Sequence, residues 1–221
     1  SHAQIQADPV SGNVLLFRDQ MVLVADPLSP TWQQTVPIMV EGTVCDEPME
    51  QPPVIDQTWV DGEARLLYLS LIDYVCTPWI SYTMVIYNLD TMIEVARYPG
   101  LDYMSGLAVN GRFYGKSWFR LGKTFQWAWQ DGQPWLEQTE READIVGAYS
   151  GYQVDQNRGR LYELTVNGLQ ILDMETMAVL KVMPAPVNGR LAGFDPVTDN
   201  LYFVEEESGR LVVWSAENIQ N

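Results

Sequence analysis

The sequence has few of the side chains that carry acid–base chemistry or bind transition metals at neutral pH. Its 221 residues include two cysteines and one histidine, His2, which follows Ser1 in what resembles the remnant of an affinity tag. This inventory provides no Ser-His-Asp or Cys-His catalytic set and no histidine-ligated zinc or iron centre. Two cysteines are too few for a structural zinc site, and no GxGxxG or P-loop motif is present to bind a nucleotide. The sequence therefore predicts no metal site and no cofactor.

Basic residues are scarce as well. Lysine and arginine number 13 against 29 aspartate and glutamate residues, which gives a formal net charge of −16. Nucleic acids and anionic lipid surfaces carry the same sign, and the sequence has no basic cluster to bind them. No apolar run approaches the roughly 20 residues that a membrane helix needs. We therefore expect no nucleic-acid partner and no membrane insertion. The charge favours solubility, and a cation or a basic protein as partner stays open.

The sequence does contain many aromatic residues and an internal repeat. Eight Trp, eleven Tyr and six Phe favour strands over helices. Five runs of strand character resemble one another, and their equivalent residues lie 52, 47, 48 and 40 residues apart. A period of about 40–50 residues is typical of a four-stranded propeller blade. The equivalent residues are Val14, Leu66, Phe113, Leu161 and Leu201.

The repeats predict an all-β protein. We expect a β-propeller of about five blades, each a four-stranded antiparallel sheet, in a single domain over residues 1–221. The last repeat has sequence for only three strands before the chain reaches Asn221, so we expect its blade to be incomplete. The repeats cover approximately residues 4–50, 56–101, 105–140, 150–185 and 190–221.

Two of the repeats also resemble a known family. ADPVSGNVLLF from Ala7 matches FDPVTDNLYFV from Phe194, and the run DPVTDNLYFVEEESGRLVVW resembles the YVTN/NHL-like propeller repeats of bacterial proteins. NLDTM from Asn88 and LDMETM from Leu172 look like the strand-ending turn of the same repeats. The resemblance implies the fold and leaves the function open, because propellers serve many functions.

The two cysteines are predicted to lie on one face. In a propeller, the connections between strands two and three lie on the same face as those between blades, here called the upper face. Cys45 falls in the first inter-blade segment and Cys76 in the strand two to three connection of the second repeat. A disulfide between them would indicate an exported, extracellular or periplasmic bacterial protein. Two unpaired thiols are the alternative.

Aromatic residues are also predicted to gather on the upper face, together with Arg120. Such a platform can bind a protein, a glycan or a small-molecule ligand, and a binding module is our leading hypothesis. Trp79 and Trp118 have the alternative of covering the blade ends as part of the core. The connections predicted to be longest are 41–57, 71–81, 99–105, 117–123 and 140–150. The aromatic candidates are Tyr74, Trp79, Tyr103, Trp118 and Tyr149.

Carboxylates provide the one enzymatic alternative. Asp73 and Asp102 lie in successive connections on the predicted upper face, and a pair of acids about 5–10 Å apart can cleave a glycosidic bond. The competing hypothesis is therefore a carboxylate-based glycoside hydrolase or lyase. A third hypothesis is an architectural repeat domain of the cell surface. Glu163 lies in a strand, and the sequence leaves open whether it faces a central channel or solvent.

Overall fold

The computed structural model describes most of the backbone, and the side chains of fewer residues. Among these residues there is no α-helix, only a short 3-10 helix, Ala216–Ile219. No described helix is long and apolar enough to cross a membrane. The backbone is described for residues 4–18, 21–26, 28–29, 32–37, 40–44, 47–51, 54–74, 80–101, 104–120, 123–130, 133–142, 152–165 and 167–219. Side chains are described for residues 4–18, 21–26, 28–29, 54–72, 82–98, 106–115, 152–165, 167–217 and 219.

The first two repeats form two four-stranded sheets with a separate hairpin between them. Sheet 1 consists of β1 (Gln4–Ala7), β2 (Val14–Arg18), β3 (Met21–Ala25) and β4 (Trp32–Pro37). The hairpin consists of β5 (Val40–Val44) and β6 (Glu47–Gln51). Sheet 2 consists of β7 (Val54–Asp61), β8 (Leu66–Tyr74), β9 (Ile80–Asn88) and β10 (Glu94–Leu101).

The other three repeats each form one further sheet. Sheet 3 consists of β11 (Met104–Val109), β12 (Arg112–Arg120), β13 (Lys123–Gln130) and β14 (Gln133–Glu142). Sheet 4 consists of β15 (Gln153–Asp155), β16 (Arg160–Thr165), β17 (Gly168–Asp173) and β18 (Val179–Met183). Sheet 5 has three strands in the described chain, β19 (Gly189–Asp195), β20 (Asn200–Glu205) and β21 (Leu211–Ser215).

Each sheet follows the chain strand by strand, and neighbouring strands of sheets 1, 2, 4 and 5 are antiparallel. The all-β prediction is therefore confirmed for the described residues, whereas the bounds of the predicted repeats stay a prediction. Connections between the second and third strand mark what we call the upper end of a sheet. Connections between strands one and two, and between three and four, mark its turn end.

Contacts along the backbone divide the chain into two compact units. Sheets 1 and 2 and the hairpin lie in the first unit, sheets 4 and 5 lie in the second, and the residues of sheet 3 are shared between the units. The organisation of residues 1–221 as a single domain stays a prediction. The first unit is Ser1–Met104, Ala108–Gly115 and Trp127–Glu137, and the second is Ser105–Leu107, Lys116–Gln126 and Gln138–Asn221.

The sequence of strand β8 begins with a nearly continuous apolar run, and the packing of the strand explains it. Its side chains alternate between two hydrophobic clusters, so both faces of the strand are buried. Leu67 and Leu69 pack with Leu15 and Phe17 of sheet 1, whereas Tyr68 stacks on Phe113 of β12 with ring centroids 4.9 Å apart. In the second unit, a third cluster joins sheets 4 and 5 through residues such as Tyr162, Leu164, Leu201 and Phe203.

Aspartate side chains organise the turns that the sequence predicts. Asp8 Oδ1 accepts a hydrogen bond from Val10 N at 3.0 Å, and Asp195 Oδ1 accepts one from Val197 N at 2.9 Å, so the two Asp-Pro turns are confirmed. The Asn167-Gly168 hairpin is confirmed too, because β16 pairs with β17 and Thr165 stands opposite Gly168. Gly168 has a φ of 120°, a conformation that favours glycine.

The structure corrects three expectations about the connections. Residues 71–81 and 117–123 were expected to be long connections, yet β8 continues to Tyr74 before β9 begins, and β12 continues to Arg120 before β13 begins. Asp73 pairs with Ser81 in the ladder, because backbone hydrogen bonds extend a strand beyond its apolar pattern. The segment 41–57 is also more than a connection, since it contains the whole of β6 and the start of β7.

Candidate functional site

The predicted ligand-binding residues of sheets 2 and 3 lie at strand ends. Asp73 and Tyr74 are the last residues of β8, and Tyr74 pairs with Ile80 of β9. Trp118 and Arg120 lie in the last three residues of β12. These positions are at the upper ends of their sheets, where the sequence placed them, although on strands and not in loops. Their side chains lie outside the described residues.

The other predicted site residues fall entirely outside the described part of the chain. This group includes both cysteines, so the Cys45–Cys76 disulfide stays a prediction. It also includes Asp102, so the acid pair that it would form with Asp73 stays a prediction. The remaining members of the group are Trp79, Tyr103 and Tyr149.

The hairpin of β5 and β6 is a feature of the upper end that the sequence reading missed. β4 ends at Pro37, which pairs with Met21 at the upper end of sheet 1. The hairpin begins three residues later, and it ends at Gln51, shortly before Val54 pairs with Ile72 at the upper end of sheet 2. β5 contacts β8. The sequence predicts a connection at this segment. Pro48 is unusual within a strand, so little in the sequence indicates β6.

Polar side chains join the first strands of sheets 1 and 2. Gln4 Nε2 donates to the backbone carbonyl of Asp56 at 2.6 Å, and Gln6 Nε2 donates to that of Thr58 at 3.1 Å. Thr58 Oγ1 in turn donates to Gln4 Oε1 at 3.0 Å. These long-range contacts satisfy two backbone carbonyls of β7 and hold β7 beside β1.

Asp56 differs from its neighbours on β7. Its Oδ2 is buried and has no hydrogen-bond partner, and burial raises the pKa of the Asp56 carboxyl above its ordinary value. The ladder is irregular at this residue, since Ile55 pairs with Leu71 and Gln57 with Ser70. Sequence reasoning did not select Asp56, because one aspartate in an alternating strand looks like a solvent-facing residue.

The turn ends carry arginine-centred ion pairs. Arg65 lies 2.6 Å from Asp8 Oδ2 of sheet 1 and 2.7 Å from Asp90 Oδ1 of its own sheet. Burial alone would raise the pKa of Asp8, but hydrogen bonds from Ser11, Arg65 and Val10 hold it below its usual value. Arg65 has a φ of 56°, which is costly for a residue with a side chain, and these two ion pairs offset that cost.

Sheets 4 and 5 have a similar cluster, in which the central arginine belongs to the earlier of the two sheets and an aspartate to the later one. Arg158 of the sheet 4 turn lies 2.6 Å from Asp155 Oδ2 and 2.6 Å from Asp199 Oδ2 of sheet 5. The hydroxyl of Tyr162 also donates to Asp155 Oδ2, at 3.2 Å, and burial together with the Asp155 charge raises the pKa of Tyr162 to about 12. Because every group in this cluster is paired, it stabilises the junction and offers no site.

The DMETM turn also has a structural explanation. Asp173 Oδ1 accepts hydrogen bonds from Glu175 N at 3.0 Å and Thr176 N at 2.8 Å, and these turn contacts hold the pKa of Asp173 below its usual value. Asn88 makes the same two bonds to Asp90 N and Thr91 N. Glu163, whose orientation was open, is 4% exposed, so it does not face solvent.

Comparisons with known proteins show the fold. No protein-family model matches the chain, and no curated protein matches it in sequence. Among solved structures it is similar to Hsv2 from Kluyveromyces marxianus, with a TM-score of 0.59 and 10% identity over 97% of this chain and 63% of that one. It therefore spans less than two thirds of the Hsv2 chain.

Two further solved structures are also similar to this chain. The nidogen/laminin complex matches 97% of this chain and 75% of its own, with a TM-score of 0.53 and 14% identity. A gluconolactonase from Xanthomonas campestris matches 91% and 68%, with a TM-score of 0.52 and 16% identity. These neighbours are β-propeller proteins, and the chain has the propeller repeat fold. Identities this low show the fold alone.

Proposed function

We propose that the chain is a β-propeller binding module that takes a protein, a glycan or a small molecule at the upper ends of its sheets. The observation that carries the proposal is the inserted hairpin, which leaves sheet 1 and enters sheet 2 at their upper ends and contacts β8. Tyr74 lies at that end of β8. Binding sites concentrate where connections leave a rigid scaffold, and here an extra two-stranded element enlarges that surface.

The turn ends are less suited to bind a ligand. Their aspartates are committed to turn N–H groups, as at Asp173 and Asp195, or to arginines, as at Asp8 with Arg65 of the next sheet and Asp155 with Arg158 of its own sheet. Side chains already held by local hydrogen bonds have little capacity left for a partner. This contrast supports a ligand at the upper ends.

The finer parts of the proposal concern family and location. We place the chain among YVTN/NHL-like repeat proteins with about five blades, because NLDTM and DMETM, which carry the resemblance, make the same turn bonds. We also propose export to a bacterial exterior or periplasm with a Cys45–Cys76 disulfide. Peptide mapping under reducing and non-reducing conditions tests the disulfide, and two free thiols in the native protein would contradict it.

The nature of the ligand is tested by screening and then by mutation. The nidogen/laminin complex is a neighbour bound to a protein, which supports a protein as one ligand class. A glycan array, a metabolite thermal-shift panel and protein capture give the candidate ligand. We expect Tyr74→Ala or Trp118→Ala to weaken its binding by about tenfold or more, the range for an interface hot spot. The free energy of unfolding should hardly change.

The matched control is Val197→Ala, at a turn-end residue that is 90% exposed. It removes exposed apolar surface from the turn end of a sheet and should leave binding intact. Loss of binding in this variant, with full binding in the Tyr74 and Trp118 variants, would contradict the proposal. Robust glycoside turnover by the parent that disappears in Asp73→Asn with Asp102→Asn would replace it with the enzymatic hypothesis.

A further inference from the structure

Strand β21, the third strand of sheet 5, has an open edge. It pairs with β20 on one side, and no strand in the described part of the chain pairs with its other side. In sheets 1 to 4 the third strand is paired on both sides, because a fourth strand is its outer neighbour. Sheet 5 therefore presents a row of backbone N–H and C=O groups at the place where the other sheets have their fourth strand.

The hydrogen-bond pattern identifies the backbone groups at this edge. The carbonyl of Arg210 accepts a bond from Glu205 N at 2.9 Å, where β20 and β21 meet. Successive residues of an antiparallel strand bond to opposite sides, so Val212 and Trp214 also bond to β20. The residues between these three direct their N–H and C=O groups to the open edge, and they are Leu211 and Val213.

The edge of β21 lacks the features that protect the outer strands of sheets 1, 2 and 4. Those strands contain a proline or a basic residue, which is Pro37 in β4, Arg97 in β10 and Lys181 in β18. Their pairing with the third strand is also interrupted by a register shift. Such features keep other chains from adding to a sheet. β21 contains no proline and no charged residue, and its register with β20 is continuous, so it can accept a further strand.

Apolar side chains lie beside the open edge. Leu211 and Val213 are 56% and 51% exposed. The residues at the same positions of sheet 4, Leu169 and Ile171, are buried. Directly opposed side chains of antiparallel neighbours lie about 5 Å apart. A strand added to β21 would therefore place its own side chains against this exposed apolar surface.

Acidic residues lie at both ends of the edge. Glu206 and Glu207 are exposed in the turn that precedes β21, and Glu217 is exposed in the 3-10 helix that follows it. The basic residue of the turn, Arg210, is paired with Glu205 at 3.3 Å. Charge complementarity therefore favours a strand whose two ends are basic.

We propose that the open edge of β21 binds an extended segment of a partner protein as the fourth strand of sheet 5, antiparallel to β21. The segment has apolar side chains at alternate positions, opposite Leu211 and Val213, and lysine or arginine at both ends. Main-chain bonds give an added strand its affinity, and its alternate side chains give specificity. This edge is separate from Tyr74 and Trp118, so the proposal does not rest on the ligand proposed for the upper ends.

A second copy of the chain fits this edge less well. Two β21 strands that paired in antiparallel fashion would bring Glu207 of each copy towards Glu217 of the other. Like charges at both ends oppose such a pair, and the net charge of −16 on each copy adds to the repulsion. A basic segment is attracted at the same points.

A synthetic peptide provides the probe. It has five central residues of alternating valine and threonine, which is the length of β21, and two lysines at each end. Isothermal titration calorimetry at low salt should show saturable binding to the full chain. A control peptide carries N-methyl groups on the central amides that would face β21, and it should bind at least about tenfold more weakly because main-chain bonds are lost.

Amide hydrogen exchange measured by NMR shows where the peptide binds. In the free protein, Val212 and Trp214 should exchange slowly and Leu211 and Val213 quickly, because only the first two bond to β20. The peptide should slow exchange at Leu211 and Val213 by about tenfold or more at saturation. The N-methylated peptide should slow them little.

Val213→Pro connects binding to the edge. It removes an N–H group that faces outward and no bond to β20, a position at which proline is tolerated. Peptide binding should weaken by about tenfold. Slow exchange at Val212 and Trp214 in this variant would show that β21 is still paired, and the N-methylated peptide tests the same bonds if it is not.

The charge at the ends of the edge is tested separately. Glu207→Lys should weaken peptide binding by about threefold, and added salt should reduce the difference, because the attraction is between exposed groups. The matched control is Glu63→Lys, which reverses an exposed carboxylate in a turn of sheet 2 and should leave binding nearly unchanged.

Four outcomes would overturn the proposal. Slow exchange at Leu211 and Val213 in the free protein would mean that another segment of the chain or a second copy already covers the edge. Equal binding of the two peptides would mean a contact with the acidic surface alone. Absence of saturable binding would mean that the edge accepts no such strand. Loss of binding in Tyr74→Ala, with full binding in Val213→Pro, would place the peptide at the upper ends and support the function proposed there instead.

Discussion

Asp56 and Asp61 lie on the same strand, five residues apart, in opposite circumstances. Asp61, at the turn end of β7, is 2% exposed, and its two oxygens accept bonds from Ala64 N at 3.0 Å and Gly111 N at 2.6 Å. Asp56, towards the upper end, has a buried oxygen without any donor. One strand therefore carries a carboxylate that holds two sheets together and another that destabilises its own surroundings.

The difference separates two uses of an acidic residue in this fold. At the turn ends, a carboxylate accepts N–H groups that the chain reversal leaves unpaired, so its burial is compensated. At the upper end of β7 no compensation is present, and a raised pKa records the cost. We conclude that turn-end acids stabilise the repeats, whereas the buried carboxylate of Asp56 destabilises its surroundings.

The largest effect should come from the most buried turn-end acid, Asp155. It is 0% exposed and pairs with Arg158, whose side chain is 28% exposed. Asp155→Ala should lower the free energy of unfolding by about 3 kcal/mol, because it leaves Arg158 and the hydroxyl of Tyr162 without that acceptor. Urea unfolding of variant and parent measures the change. A loss below about 1 kcal/mol would show that turn-end acids are not the stabilising class.

Asp61→Asn is the direct counterpart within β7. An amide keeps one acceptor and presents an N–H group to either Ala64 N or Gly111 N, so one buried donor is left unpaired. We expect a loss of about 2 kcal/mol in the free energy of unfolding. Amide hydrogen exchange should show faster exchange at Gly111 or Ala64. Full protection at both amides would contradict the assigned role of Asp61.

Asp56→Asn should act in the opposite direction. A carboxyl with a raised pKa in the folded state binds its proton more tightly there than in the unfolded chain. Stability therefore falls as the pH rises from the unfolded pKa, about 4, through the folded pKa. The amide removes this dependence, so the variant should be more stable than the parent by about 1 kcal/mol at pH 7. The difference should disappear near pH 3, and thermal unfolding across pH 3–7 checks it. A less stable variant at pH 7 would mean that the carboxylate is satisfied.

The smallest effect should be that of Asp90→Ala. Asp90 pairs with Arg65 at 2.7 Å, but its side chain is 58% exposed. Exposed pairs contribute little because water and salt screen them. We expect a loss of about 0.5 kcal/mol, which should vanish in 1 M salt. A loss as large as that of Asp155→Ala would remove the distinction between buried and exposed members of the turn-end pairs.

Repeats and turns could be predicted from the sequence, because they depend on local chemistry. Alternating apolar residues such as those of β8 must pack on both sides, and Asp8-Pro9 or Asn167-Gly168 specifies a reversal within a few residues. The all-β fold class follows from such patterns. The ends of β8 and β12 did not, because backbone pairing continues through polar residues such as Asp73 and Arg120.

The candidate site was much less predictable. Aromatic and acidic residues of the predicted upper face could be enumerated, yet their grouping depends on contacts between distant segments. Asp56 shows the difficulty. Its environment depends on a bulge, on Gln4 more than fifty residues away and on the absence of a donor to its own Oδ2. None of these can be read from the residues on either side of it, whereas Asp61 is flanked by a recognisable turn.

The hairpin of β5 and β6 is paired only with itself in the described sheets. Its replacement would therefore cut no ladder bond of sheet 1 or sheet 2, and a segment whose ends lie close together costs little entropy to exchange for another. Because the hairpin pairs only with itself, a different peptide sequence can take its place while the strand pairings of sheets 1 and 2 are kept. Residues 40–51 are therefore a segment whose replacement leaves the ladders of sheets 1 and 2 intact.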